Sequence, residues 1–398
     1  MRLYLLALNP TDSVTEGFLP AAARLGLTVT VLTDHPEAHR AAYAGLPAPP
    51  GVTACEVRDH REVIALASRL GAPDAVFSNS DHLQTQTALT ADYFGLPAKD
   101  WRAALRTKNK AELRRRLAAT GHDTVRALEL PPGRDVATLD PPYPCVVKPR
   151  EGVASEDVAL AAGPAELAAH VAAVRTRRPQ DALVVEEFLV GELHTLETLG
   201  DGTRRHVLGG FRTRLSPPPY FVEESLEFVA AHPRPVVDQV LAQLDALGVG
   251  LGACHTEFVV QPDGRARIVE VNYRAIGDQC DLMLARLLGI PYFEHVLAVH
   301  LGHPLPDDLG TRTGRYGHNR AVLADRAGTL TAAPAPQEHE ADGVQLVYRP
   351  VRALGEHHEH HRTNRDYLGV VWAVGPDQQA VDRAVSRFVD ANRWEITP

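Results

Sequence analysis

The run His255–Arg274, HTEFVVQPDGRARIVEVNYR, constrains this chain more than any other segment. Two stretches rich in β-branched residues flank Asp263-Gly264, the pair that a two-residue type I′ turn prefers because it needs φ > 0 at both central positions. The spacing predicts a hairpin. With Asp263 and Gly264 as its loop, Glu257 lies opposite Glu270 and His255 opposite Asn272, all on one face. Facing Cβ atoms sit about 4.5–5.5 Å apart, so two carboxylates there repel unless a proton or a cation lies between them. A hard divalent cation takes oxygens from carboxylates and phosphate, and the Asn272 carbonyl can join the set. A polar sheet face with Lys or Arg neighbours is the plainer reading. Arg274 tells against it, since a guanidinium beside bridged carboxylates can grip a phosphoryl group or a carboxylate. Replacing both glutamates by glutamine is then expected to leave the metal-free fold as stable or more so.

The rest of the chain supplies a frame for this hairpin. Its 398 residues suggest two to three domains. Leu3 to Leu8 is an apolar run followed by the polar loop Asn9 to Thr15, a helical pattern to Leu25 and a β-rich run from Thr28 to Leu32. A further strand from Asp74 to Phe77 opens into Ser78-Asn79-Ser80-Asp81. This alternation predicts an open parallel sheet to about residue 100, with ligand loops at the strand carboxyl ends. A helix over about 108–119 ends at Gly121, and the prolines between 131 and 144 mark a stiff connection. From Cys145 to about Tyr273 the pattern is β-rich, with helices near 164–176 and 234–247 and one more at 281–288. The last hundred residues read as α+β and are crowded with histidines.

Composition narrows the partners. A net charge of −9 argues against nucleic acid or an anionic membrane, and leaves small molecules. No stretch reaches 18 apolar residues, and the N-terminus lacks the features of a leader peptide. Four cysteines without CxxC spacing suggest neither disulfides nor a zinc ribbon, and fit a reducing cytoplasm.

Lysine is scarce among many arginines. Lys148 ends the strand CVVK just before Pro149-Arg150-Glu151-Gly152-Val153-Ala154-Ser155, a turn that can offer backbone N–H groups and a hydroxyl to phosphate. Taken alone, such a turn is an ordinary loop and Lys110 an ordinary helix residue. Leu183 to Leu189, LVVEEFL, reads as a strand passing into a hinge that can receive a flat base.

In this order the pieces resemble the ATP-grasp carboxylate–amine ligases. NKAELRRRLAATG looks like the family's first-lysine helix, which puts Lys110, ahead of Lys108, on the ATP phosphates. YPCVVKPREGVASEDV is similar to the second lysine, Lys148, and its phosphate-covering loop, so Gly152 and Ser155 carry over. LVVEEFLVGELHTLE resembles the adenine hinge, which implies Glu186, Glu187, Phe188 and Leu189 at the base and Glu192 at the ribose. Here Glu192 directly follows Gly191, whereas the family often places one residue between. The hairpin then implies Glu257, Glu270 and Asn272 as Mg²⁺ (or Mn²⁺) ligands and Arg274 at the transferred phosphoryl group. A basic residue before PPPYFVEES is also implied, Arg212 or Arg214, with Arg212 preferred.

The resemblance implies a mixed α/β and α+β architecture. Residues 1–103 form an N-terminal parallel-sheet domain, 104–302 the two-lobed ATP-grasp domain, and 303–398 a C-terminal α+β domain. It implies an ADP-forming ligase that joins a small acid to an amine through an acylphosphate, as a cytoplasmic enzyme, with a homodimer as the expected assembly. The opening LALNPTDSVTEGFLPAA and VEVNYRAIGDQCDLML look similar to proteins of vibrioferrin-type siderophore pathways. Dipeptide ligation, carboxylase-like or purine-type chemistry, and a non-catalytic nucleotide sensor are the alternatives.

Three features remain. Glu356-His357-His358-Glu359-His360-His361 invites a metal reading. Beside Arg362 and Arg365, in a chain with 19 histidines, it reads better as a solvated or substrate-side surface. Cys254 and Cys280 have no evident base, and His255, on the hairpin face with the carboxylates, reads better as a packed or supporting histidine than as a base or a group that orients a ligand.

Overall fold

The computed structural model describes residues 1–122 and 125–398. Near the N-terminus, four parallel strands lie in the order Gly51–Ala54, Thr28–Thr33, Arg2–Leu6, Ala75–Phe77. Leu3 and Leu5 enter one core and Tyr4 and Leu6 another, which explains the unbroken apolar run of the first strand. The chain leaves Arg2–Leu6 toward one edge of the sheet and returns to its other side as Ala75–Phe77. That reversal opens a crevice at the carboxyl ends of these two strands, where ligands bind in sheets of this kind. The loops following both strands line the main cleft of the molecule. After the first strand the predicted helix begins as a π-helical turn, Ser13–Phe18, and becomes α-helical only over Leu19–Arg24.

A small antiparallel sheet follows, in the order Ala127–Leu130, Leu183–Glu187, Cys145–Pro149, Ala159–Ala161. The helix Pro164–Arg177 covers it, burying Leu167, Val171 and Val174 against Val147 and Val185.

A ten-stranded sheet forms the opposing wall. It runs Ala266–Asn272, Leu251–Val260, Leu193–Asp201, Gly210–Leu215, Glu223–Val229, Tyr316–Leu323, Tyr367–Gly375, Val344–Pro350, Gln337–Ala341, and Arg205–Val207 branches from Leu193–Asp201. The helix Arg234–Leu247 places Val236, Val240, Leu244 and Leu247 on one stripe, and this stripe packs under the hairpin on Cys254, Phe258, Ile268 and Val271. Gly248, at φ +88°, ends that helix in the left-handed conformation a Cβ disfavours. The strands after residue 302 continue the same sheet, because Tyr316–Leu323 pairs with Glu223–Val229. Every residue of Tyr367–Gly375 is buried, since the strand lies between two others with helices on both faces.

The hairpin has the expected facing pairs by a different route. Its loop is Pro262–Gly264, closed by Gly264 N–H donating to Gln261 O (2.9 Å) and Gln261 N–H donating to Arg265 O (2.9 Å). Gly264 has positive φ and Asp263 does not, so this is a three-residue loop and not a type I′ turn. The extra loop residue shifts the register by one near the turn. A β-bulge at Val269 shifts it back, so that Phe258 pairs with Ile268 while Glu257 pairs with Glu270 and His255 with Asn272.

Candidate active site

A cleft of about 790 Å³ runs between the two sheets and ends at the N-terminal crevice. Its outer end is apolar. Leu189, Val259, Leu193 and Val269 form a cluster beside Phe188, giving a flat ring two greasy faces. The bulge is what turns both Val269 and Glu270 toward the cleft. At the hinge, Phe188 N–H donates to Pro144 O (3.1 Å), and the Glu187 carboxylate pairs with Arg267 (2.5 Å).

The middle of the cleft is cationic. Lys110 begins the helix Lys110–Ala119, whose N-cap Asn109 accepts from Ala111 and Glu112 N–H (3.1 Å each). Its ammonium donates to Gly152 O and to Glu270 Oε1, both at 3.1 Å. Burial disfavours that charge, but Glu270 outweighs it and raises the lysine pKa. Lys148 pairs with Glu186 at 2.8 Å, and Arg114 grips the same carboxylate at 3.0 and 3.1 Å. The Glu186 carboxylate is therefore taken up by the lysine and the arginine, while the residue itself lines the cleft beside Glu187, Phe188 and Leu189. Burial alone would raise its pKa, yet Arg114 and Lys148 bring it down to about 2. Lys108 pairs instead with Asp81, which also lines the cleft.

Gly152 and Ser155 line the cleft within a loop where Ala154, Ser155 and Asp157 all have positive φ (57°, 54° and 58°). Such backbone persists where its surroundings hold it. Asn364 N–H donates to Ala154 O at 3.1 Å and Arg365 pairs with Glu156 at 2.6 Å, so the C-terminal segment fastens this loop.

Deeper, Glu257, Glu270 and Asn272 present two carboxylates and an amide to one space. His255 lies behind Glu257, its Nδ1 2.7 Å from Glu197 and its Nε2 3.4 Å from Glu257. Burial opposes its charge, but these two glutamates raise it to about 10. Across the space, burial together with the charges of Glu257 and Asp278 pushes Glu223 up to about 8. Glu257 and Glu270 keep cationic neighbours in His255 and Lys110, yet their oxygens and that of Asn272 face one space, an arrangement open to a divalent cation. Among the described residues no three His, Cys, Asp or Glu side chains make a ready metal cage. Two carboxylates and an amide carbonyl are instead the oxygen set that binds Mg²⁺ when phosphate oxygens and water complete the shell.

Arg274 donates to Ala275 O (2.8 Å) and makes no ion pair among the described residues. Around it lie Asp12, Asn79, Asp81, Asp278 and Gln279. Arg212 and Arg214 do not come here. Phe211 and Thr213 point inward, so the alternating arginines face out and pair with Glu227 and Glu224 on the neighbouring strand. Glu192 is 71% exposed, beside His194 and away from the cleft. The His-rich run builds a turn. Buried Asp366 accepts from His358 Nε2 (3.0 Å), His361 N (2.8 Å) and Arg362 N (2.6 Å), which sets Asn364 and Arg365 facing the cleft. Cys254 and Cys280 are buried thiols whose pKa burial raises.

The model of the ATP-grasp domain family matches residues 141–282. Among solved structures, an L-amino acid ligase from Bacillus licheniformis superposes with a TM-score of 0.79 at 22% identity, covering 100% of this chain and 99% of its own. A phosphoribosylglycinamide synthetase from Anaerococcus prevotii gives 0.72 at 14%, covering 100% and 99%. The biotin carboxylase domain dimer of Hydrogenobacter thermophilus 2-oxoglutarate carboxylase, in complex with MgADP and bicarbonate, gives 0.73 at 14%, covering 100% and 91%. No curated protein matches the sequence. Residues 141–282 thus match the ATP-grasp domain family, and the whole chain shares the fold of these solved structures. Among the described residues no single helix is long and apolar enough to cross a membrane.

Proposed function

We propose that the enzyme is an ADP-forming carbon–nitrogen ligase that activates one amino acid as an acylphosphate and joins it to the amine of a second. One observation carries this reading. A single cleft holds, in order, an apolar ring slot, two buried lysines, a carboxylate hairpin and an unpaired arginine at its inner end.

Leu189, Val259 and Val269 take the adenine. Lys148 and Lys110 meet the phosphates, each held by a carboxylate that fixes its position. Glu257, Glu270 and Asn272 would hold Mg²⁺, which supplies neutralising charge to the γ-phosphoryl oxygens. Arg274 orients the acceptor carboxylate and stabilises the tetrahedral species formed when the amine attacks. The loop carrying Gly152 and Ser155, fastened by Asn364 and Arg365, keeps water from the acylphosphate.

Charge at the inner end selects between substrates. Asp12, Asp278 and Glu223 line it, while Arg349 and Arg365 are already paired with Glu16 and Glu156. A polycarboxylate of the siderophore kind would meet Asp12 and Asp278, with the largely protonated Glu223 beside them, against one open guanidinium. An ammonium group is the better complement. The test is incubation with MgATP and a matrix of amino acids, polycarboxylates and bicarbonate, reading phosphate release and product mass. Phosphate release with amino-acid pairs and a dipeptide mass is the expected result. Turnover only with bicarbonate or with a polycarboxylate overturns it, and ATP binding without turnover makes the protein a sensor.

A further inference from the structure

Lys99 is buried, 6% exposed, with no carboxylate within ion-pair distance among the described residues. Lysine is almost never found so deep without a partner charge. Its ammonium donates to Gln84 Oε1 at 2.7 Å and to the Tyr273 carbonyl, and lies 4.4 Å from the centre of the Tyr273 ring. Gln84 is itself fully engaged, for its Nε2 donates to Ser78 O (2.9 Å) and Ser80 O (2.8 Å). The adjoining Asn79 side chain accepts from Ala275 N–H at 3.1 Å. The loop 78–81 is thus tied to the residues on both sides of Arg274.

The surrounding fold is shaped to admit this lysine. Gly252 has φ +90°, and a Cβ there would stand 2.9 Å from Lys99 Cε and 3.1 Å from His300 Nε2. His300 is buried with that nitrogen unbonded, and burial and the Lys99 charge keep its ring neutral.

We infer that Lys99 is a positioning residue: through the Tyr273 carbonyl it fixes the Asn272–Arg274 segment against the loop 78–81, and so sets where Arg274 meets the reacting groups. The inference rests on the proposed role of Arg274. It gives the N-terminal domain a part in the chemical step. Lys99 contacts no part of the ring slot or the phosphate lysines, so its effect falls on chemistry and not on ATP binding.

The test is Lys99→Met, which keeps the stem and removes the donor, with Gln84→Leu as a second variant that cuts the same tie from the other side. Amide hydrogen exchange is expected to rise over 273–277 and 78–82 in both, while the hinge peptide 183–193 is unchanged. With the substrate pair found above, kcat is expected to fall by roughly tenfold to a hundredfold while KM for MgATP stays within about twofold. Additivity of the two variants, unchanged exchange at 273–277, or a fall in thermal stability with kcat intact overturns the inference. If the wild type turns over no pair, the ligase reading fails, and exchange still decides the role of Lys99. Should Lys99→Met not fold, Gln84→Leu carries both measurements.

Discussion

Glu186 shows how one buried carboxylate can organise the two cations beside it. Arg114 and Lys148 bracket it inside a dry lobe, so its negative charge holds Lys148 in place and offsets part of the positive charge. Its pKa is brought down to about 2, below the ordinary carboxylate range, so it contributes stability above about pH 4.5 that is lost as pH falls toward about 2. Thermal unfolding against pH should show this loss in the wild type and a flatter acid limb in Glu186→Gln. That variant should also lose about 3 kcal/mol at neutral pH, because two buried cations keep no countercharge. An equal acid limb in both proteins would remove Glu186 from this role. The facing pair Glu257 and Glu270 answers differently from the sequence expectation. Each already has a cation, His255 and Lys110 respectively, so the double change to glutamine should lower metal-free stability instead of preserving it. Calorimetry of the metal-free double variant measures this, and an unchanged or higher Tm would contradict it. Glu270→Gln alone should keep the fold and cost turnover at least roughly a hundredfold at saturating Mg²⁺.

At the scale of elements, the hairpin was legible because its signals are local. Alternation gave the strands and Asp-Gly gave the turn, yet the turn type was misread and the bulge was not foreseen. The two errors cancel at Glu257 and Glu270. Nothing in RARIVEVN marks Val269 as the extra residue, since a bulge is decided by what each face packs against. Arg212 failed for the related reason that a strand's period of two turns a one-residue misjudgement into the opposite face. Arg114 was within reach of sequence reasoning, four residues after Lys110 on the same helix. Asn364 was not, because its place depends on a sheet continued from distant parts of the chain; Arg365, named from sequence on the substrate side, lines the cleft but pairs with Glu156. The bulge yields its own prediction. Val269→Ala trims the ring slot while leaving the carboxylates in register, so it should weaken ATP binding by about 1 kcal/mol, roughly fivefold in Kd, with Mg²⁺ dependence retained. Titration calorimetry with a non-hydrolysable ATP analogue checks it, and unchanged affinity would place adenine elsewhere.

Across the whole molecule, the residues after 302 belong to the same body as the cleft. Their strands extend the wall that carries the hairpin, and Val370, Trp372 and Val374 share a core with Phe211, Leu226 and Leu284. A chain cut at residue 302 would expose that core and the edge of Glu223–Val229, and should aggregate on expression. A milder change separates folding from function. Asn364 bonds both ways with Glu223 (3.0 and 3.1 Å) and holds Ala154, while the half-exposed Arg365 pairs with Glu156. The exposed Arg365 pair contributes little stability, about 0–1 kcal/mol, and the part-buried Asn364 bonds about 0.5–1.5 kcal/mol each, so Asn364→Ala with Arg365→Met should still fold and unfold several degrees below the wild type. The loop carrying Gly152 and Ser155, however, loses its Arg365–Glu156 pair, and the Asn364 backbone that donates to Ala154 O loses the side-chain bonds to Glu223 that hold it in place. Cleavage by trypsin at Arg150 should therefore quicken in the variant, and MgATP should protect it less than it protects the wild type. Acylphosphate leakage should rise too, seen as phosphate released in excess of amide formed. If the double variant digests at the wild-type rate with product and phosphate still matched, the C-terminal segment has no part in closing the site.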